Sequence, residues 1–76
     1  MDTVKVIDAR GSYCPGPLME LIKNIRREVV GTVLEVWSSD RGSAKDIPEW
    51  VARAGHELVS STEDAGVYKI QVKKAR

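Results

Sequence analysis

The sequence predicts a two-layer α/β sandwich of order βαβαββ, with two helices on one face of a four-stranded mixed sheet. Three observations carry this. The hydrophobic period changes from two to 3.6 and back along the chain. Glycines fall between the periodic runs, with Gly31 and Gly55 following the two helical runs. The last third reads as two short alternating runs joined by Glu63-Asp64-Ala65-Gly66, the pattern of a hairpin.

Thr3 to Ala9 is β-branched and alternating, with Val4 and Val6 on one face and Ile7 on the other, and predicts the first strand. From Leu18 the period changes. Leu18, Leu21, Ile22, Ile25 and Val29 share one face of a helix running from about Pro15 to Val29, with Gly31 as its C-terminal cap. Its outer face carries Lys23, Arg26 and Arg27, a solvated face or a basic docking stripe. Thr32 to Ser38 is the second strand, apolar on both faces as suits a central position. Strand, helix and strand with short links form a right-handed βαβ unit, so the first two strands are parallel.

Ser39 to Ser43 reads as a loop. Ser43-x-x-Asp46 and Asp46-x-x-Glu49 both fit capping boxes, so the second helix is expected to turn first near Ser43 and to run from Asp46 to Ala54. Pro48 then falls within its first turn, where the missing N–H costs little. Ala44, Ile47, Val51 and Ala54 form its buried stripe, and Gly55 closes it. His56 to Thr62 and Val67 to Lys73 are the third and fourth strands. Tyr68, Ile70 and Val72 alternate with polar residues, giving one buried and one wet face. Lys73 to Arg76 reads as a frayed terminus or a basic docking tail. Both helices on one side leave the other sheet face open, with Ile7 or Trp37 expected there; Trp37 and Trp50 are expected to serve packing.

Length and composition narrow the function. Residues 1–76 make one domain. Hydrophobic content of 42% and charged content of 30% are ordinary for a globular protein. A net charge of +1 favours neither nucleic acid nor a strongly acidic partner. No run approaches a membrane span and no leader pattern is present, so the expected location is cytoplasmic. The single cysteine excludes an internal disulfide, a CxxC redox pair and a multi-cysteine zinc site. No cofactor or metal motif is present.

The residues between the first strand and the first helix hold that cysteine. Pro15 suits a first helical position, which puts Cys14 at or beside the N-cap. There the unpaired N–H groups of Gly16 and Leu18 and the positive end of the helix dipole can favour a thiolate. Cysteines so placed have pKa values of roughly 3.5–7.5, against about 8.5 unperturbed. Arg10 adds a nearby positive charge. The alternative is a small buried packing residue, since free cysteine is among the most buried types. Ligands of parallel α/β units gather at the carboxyl ends of the strands, so the Cys14 turn and the loop after the second strand are expected side by side. Arg10 and Arg41 would then face a thiolate, and Asp40 and Asp46 a basic partner. His56 is the sole histidine and is expected at the far end of the sheet, which argues against a Cys–His pair.

The same residues carry a family likeness. Asp8-x-Arg10-Gly11-x-x-Cys14-Pro15-x-Pro17-Leu18, followed by Asp46-Ile47-Pro48-x-Trp50 and Gly55-His56-Glu57, resembles the TusA/SirA family of small sulfur carriers over nearly the whole chain. The resemblance implies the same fold and a persulfide carried on Cys14, within a turn supported by Arg10, Gly11, Pro15, Gly16 and Pro17. It implies two protein partners, a sulfur donor (a cysteine desulfurase or another sulfurtransferase) and a sulfur acceptor, docking near Asp40, Arg41 and Asp46. One departure is that many members carry paired aspartates where this chain has Ser39-Asp40. The competing class is a non-catalytic regulatory or RNA-binding module, because the same sandwich serves such roles. A thiol redox protein lacks its resolving cysteine here.

Overall fold

The computed structural model describes residues 4–12 and 16–76. Six elements follow in the expected order: β1 (Val4–Asp8), α1 (Gly16–Ile25), β2 (Val33–Ser38), α2 (Arg41–Ala54), β3 (Glu57–Asp64) and β4 (Val67–Lys73). They form a four-stranded sheet ordered β1-β2-β4-β3. β1 and β2 are parallel, with Ile7 opposite Val36 and Asp8 opposite Trp37. β2 runs antiparallel to β4, and β4 to β3. The βαβ unit therefore forms one half of the sheet, and the β3–β4 hairpin folds back so that β4 covers the free edge of β2.

Period-two alternation decides which face is buried. Ile7, Leu34, Val36, Ile70 and Val72 lie on one face and pack against Leu21 and Ile25 of α1 and Ile47 and Val51 of α2. Leu18, Trp50 and Tyr68 close the margins of this core. Among the described residues nothing covers the opposite face, and of the two residues expected there one is placed otherwise. Ile7 is only 8% exposed, because its register partner Val36 points at the helices. Val6, at 48%, takes its place on the open face. Trp37 is there too, as expected, half-buried and outside the buried core cluster.

α1 ends at Ile25, before the Val29 that the periodicity includes. The N–H groups of Arg27 and Glu28 go to the carbonyls of Asn24 and Ile25, three residues back, at 3.1 and 3.2 Å. That tightening turns the chain away from the helix axis, and Val29 is left 76% exposed. Gly31 is therefore not a helix cap. It occupies the following turn, where its N–H donates to the Lys74 carbonyl at 2.7 Å.

α2 begins earlier than the capping boxes place it. Asp40 is its N-cap, with extended backbone at φ −99° and ψ 123°. Ser43 lies one turn in, fully buried, its N–H on the Asp40 carbonyl at 3.1 Å and its hydroxyl donating to the Asp40 carboxylate at 3.4 Å. Asp46 is therefore not a capping residue. Pro48 lies in the helix interior, where it removes one backbone donor. Gly55 closes α2 in the left-handed conformation, as expected.

The hairpin loop is tighter than the four residues expected. β3 continues to Asp64, and Ala65-Gly66 alone make the turn, both with positive φ (51° and 80°). Two-residue turns with this twist match the twist of the flanking strands.

The C-terminus is tied down rather than frayed. The Lys74 N–H donates to the Thr32 carbonyl at 2.9 Å, its ammonium donates to the Glu28 carbonyl at 2.6 Å, and the Ala75 N–H donates to His56 Nδ1 at 3.1 Å. The His56 ring also lies 5.5 Å from the Trp50 ring. Desolvation, then Lys74 and Arg76, push the His56 pKa below 6.5. A protonated Nδ1 cannot accept the Ala75 N–H. The unfolded chain thus binds the extra proton more readily, and this stability is present above pH 6.5 and lost as pH falls through the depressed value. Melting temperature is expected to fall with pH in that window, and His56→Gln, which does not titrate, is expected to flatten the dependence. An unchanged slope in the variant would remove His56 as its cause.

Candidate functional site

β1 and β2 run parallel, so their carboxyl ends lie together, and the two loops that leave them meet there. The last ladder bond runs from the Ala9 N–H to the Trp37 carbonyl at 2.9 Å. The Ser12 N–H then donates to the Ala9 carbonyl at 3.2 Å, closing a tight turn over residues 9–12. Gly11 holds φ at +88° in that turn, a conformation L side chains rarely adopt. Its N–H donates to the Ser39 hydroxyl at 3.0 Å. The loop after β1 and the loop after β2 are thus joined directly, as the strand order requires.

On the other side of the turn stands Gly16, the first residue of α1. A Cβ at this position would lie 3.1 Å from Cβ of Ser12. That is tighter than ordinary Cβ contacts, so a side chain at position 16 would require Ser12 to give by a few tenths of an ångström. Pro17 follows, fully buried in the first turn of α1, where its missing N–H is not needed. Cys14 and Pro15, the expected nucleophile and its neighbour, lie outside the described residues.

Arg10 is held on the open sheet face. Its guanidinium donates to both Asp8 carboxylate oxygens, Nε at 2.8 Å and Nη2 at 2.7 Å, and its backbone N–H adds a third bond at 3.2 Å. The Arg10 side chain, then its backbone N–H, hold the Asp8 carboxyl down at about 2. The guanidinium also sits 5.1 Å from the centre of the Trp37 ring, and the Lys69 ammonium sits 5.2 Å from the same ring. Asp8, Trp37 and Lys69 are register partners across β1, β2 and β4, so this is one cross-strand row. In the next row the Glu35 carboxylate accepts from the Gln71 amide at 2.7 Å and from the Trp37 indole N–H. Those two donors, Gln71 first, lower the Glu35 pKa.

The loop after β2 carries the expected docking residues in distinct settings. Asp40 caps α2, and its N–H donates to the buried Ser38 hydroxyl at 3.1 Å. Arg41 is the exposed first residue of α2, and Asp46 is half-buried one turn further on. His56 precedes Glu57, which lies opposite Lys73, itself opposite Val33 at the start of β2. It is therefore at the far end of the sheet from the Gly11–Ser39 contact, as expected.

Two contacts at the site go beyond what the sequence reading contains. Asp8 and Arg10 are two apart at a strand end, a spacing that places opposite charges on one side, so a local signal for their pairing exists. Ser39 stands out in the sequence only as a departure from an aspartate. Its bond to Gly11 depends on how the two strand ends align, which no local pattern encodes.

The described residues form an α/β sandwich in which the loops after β1 and β2 meet at the Gly11–Ser39 contact, and the chain's one cysteine lies three residues beyond Gly11 in the sequence. The family model described as sulfurtransferase TusA matches residues 5–74. A candidate sulfur carrier protein of Archaeoglobus fulgidus is 61% identical over 71 residues, spanning 93% of this chain and 97% of its own. The sulfur carrier protein TusA of Pseudomonas entomophila is 40% identical over 68 residues, spanning 90% of this chain and 85% of its own. The crystal structure of a SirA-like protein from Desulfitobacterium hafniense matches with a TM-score of 0.83 over 97% of this chain and all of that one; at 21% identity the likeness is one of fold. This chain belongs to the TusA family.

Proposed function

We propose that this protein is a sulfur carrier that accepts a sulfane sulfur on Cys14 and relays it to a partner protein. Membership of the TusA family, with one cysteine in the whole chain, is the observation that carries the reading. In the accepting step the Cys14 thiolate attacks the outer sulfur of a donor persulfide. The donor's S–S bond breaks as the new one forms, the donor cysteine leaves as a thiolate, and the proton stays on the transferred sulfur. The reverse attack by an acceptor thiolate discharges Cys14. No electrons are gained or lost overall, so no cofactor is called for.

The partners are a donor, a cysteine desulfurase or another sulfurtransferase, and an acceptor with its own nucleophile. Arg10, Gly11, Pro15, Gly16 and Pro17 support the turn. Asp40, Arg41 and Asp46, on the wall formed by the loop after β2, meet the partner. The Arg10 guanidinium is already paired with the Asp8 carboxylate. A reducing, cytoplasmic setting suits a thiol that must stay free, and no described helix is long and apolar enough to cross a membrane. The regulatory or RNA-binding alternative draws no support from relatives named as sulfur carriers.

Incubation with a cysteine desulfurase and cysteine is expected to add the mass of one sulfur atom to the intact protein, removable by a thiol reductant. An unchanged mass with an active desulfurase would overturn the proposal for that class of donor. An unchanged mass with a persulfidated sulfurtransferase as well would overturn it altogether.

A further inference from the structure

We infer that Ser39 is a positioning residue for the Cys14 turn, acting through its hydroxyl on the Gly11 N–H. The inference rests on the sulfur-carrier reading and assigns a role within it. Backbone pairing between β1 and β2 stops at the bond from the Ala9 N–H to the Trp37 carbonyl. Beyond that point the two chains diverge, and the described contact that continues the connection is the Gly11 N–H on Ser39 Oγ at 3.0 Å. Gly11 precedes Cys14 by three residues. Gly11 holds a positive φ, and its N–H reaches the neighbouring loop.

Ser39 is itself well anchored. Ser38, immediately before it, is fully buried, and its hydroxyl accepts the Asp40 N–H at 3.1 Å. Asp40 in turn is fixed as the N-cap of α2. The Ser39 hydroxyl thus presents an acceptor from a frame formed by β2 and α2 to the 9–12 turn, which precedes Cys14 by two residues. A side-chain acceptor is what the position requires. Threonine satisfies it, and alanine does not. Because both Gly11 and Ser39 are exposed, water replaces the lost partner in an alanine variant, so the fold survives while the turn gains freedom.

The test uses Ser39→Ala and Ser39→Thr in the full chain with three readouts. Exchange of the Gly11 amide, followed by NMR, is expected to quicken about two- to tenfold in the alanine variant, as loss of one hydrogen bond implies. The pH profile of Cys14 alkylation by iodoacetamide is expected to shift towards the unperturbed thiol value of about 8.5. Single-turnover sulfur transfer from a persulfidated cysteine desulfurase is expected to slow several-fold at saturating donor, with the donor concentration for half-maximal rate unchanged. Ser39→Thr is expected to restore all three. A wild-type alkylation profile in Ser39→Ala, or no rescue by threonine, would overturn the inference even if the melting temperature moved. If the wild type takes no sulfur, the carrier reading fails alone: amide exchange and alkylation still decide the role of Ser39.

Discussion

Cys14→Ser is expected to abolish sulfur loading completely while leaving the melting temperature nearly unchanged. A serine hydroxyl is not ionised near neutral pH and forms no persulfide, and the chain has no second cysteine to take over. The proposed role of Cys14 is chemical rather than packing, so the described core, in which Ile7, Leu34, Val36, Ile70 and Val72 of the sheet meet Leu21, Ile25, Ile47 and Val51 of the helices, is expected to be unaffected. A substitution away from the core changes stability by less than about 0.5 kcal/mol. The measurement is intact mass after desulfurase treatment, paired with thermal melts of both proteins. A fall of more than about 4–8 °C, the equivalent of about 1 kcal/mol in a domain of this size, would assign Cys14 to packing instead. Loading that persisted in the variant would place the sulfur elsewhere and end the proposal.

What the sequence discloses follows the range of the interactions involved. The strands are legible because alternation is local: Leu34 and Val36 against Glu35 and Trp37 announce a face wherever β2 is placed. The order of elements is legible because βαβ connections have few solutions. The ends of the helices are not. Val29 keeps the helical period with Leu18, Leu21 and Ile25, yet the chain turns off after Ile25 to bring Gly31 to Lys74 and Thr32 to the start of β2. Asp40 does not announce itself as a cap because Arg41-Gly42 reads as loop, whereas burial of Ser43 draws these residues into α2.

The site divides in the same way. That the start of the loop after β1, residues 9–12, and the loop after β2 lie side by side follows from two parallel strands. That a hydroxyl at position 39 reaches the Gly11 N–H, or that Arg10 lies over Trp37, follows from cross-strand register, whereas the Asp8–Arg10 pair is local. A one-residue slip would move Trp37 to the other face and separate both cross-strand pairs. Register is fixed by the whole core, so these contacts are consequences of the fold rather than of any motif.

The sharpest stability contrast lies along α1, where the sequence places Leu21 and Val29 on one stripe and the structure separates them. Leu21 is fully buried among Ile25, Ile47 and the sheet, and Val29 is 76% exposed. Leu21→Ala removes buried side-chain carbon and leaves a cavity in close-packed surroundings, a change that costs about 2–5 kcal/mol in comparable cores. A chain of 76 residues buries only a modest core, so this is a large share of its stability. Val29→Ala deletes carbon already in water, for a change within about 0.5 kcal/mol. Urea denaturation of the two variants is the measurement, with the midpoint expected to fall sharply for Leu21→Ala and to stay close to wild type for Val29→Ala. Sulfur loading of the folded fraction is expected to persist in both, because neither residue touches the described turn. Comparable losses in the two variants would mean that the helical stripe continues through Val29 in solution and that α1 does not end at Ile25.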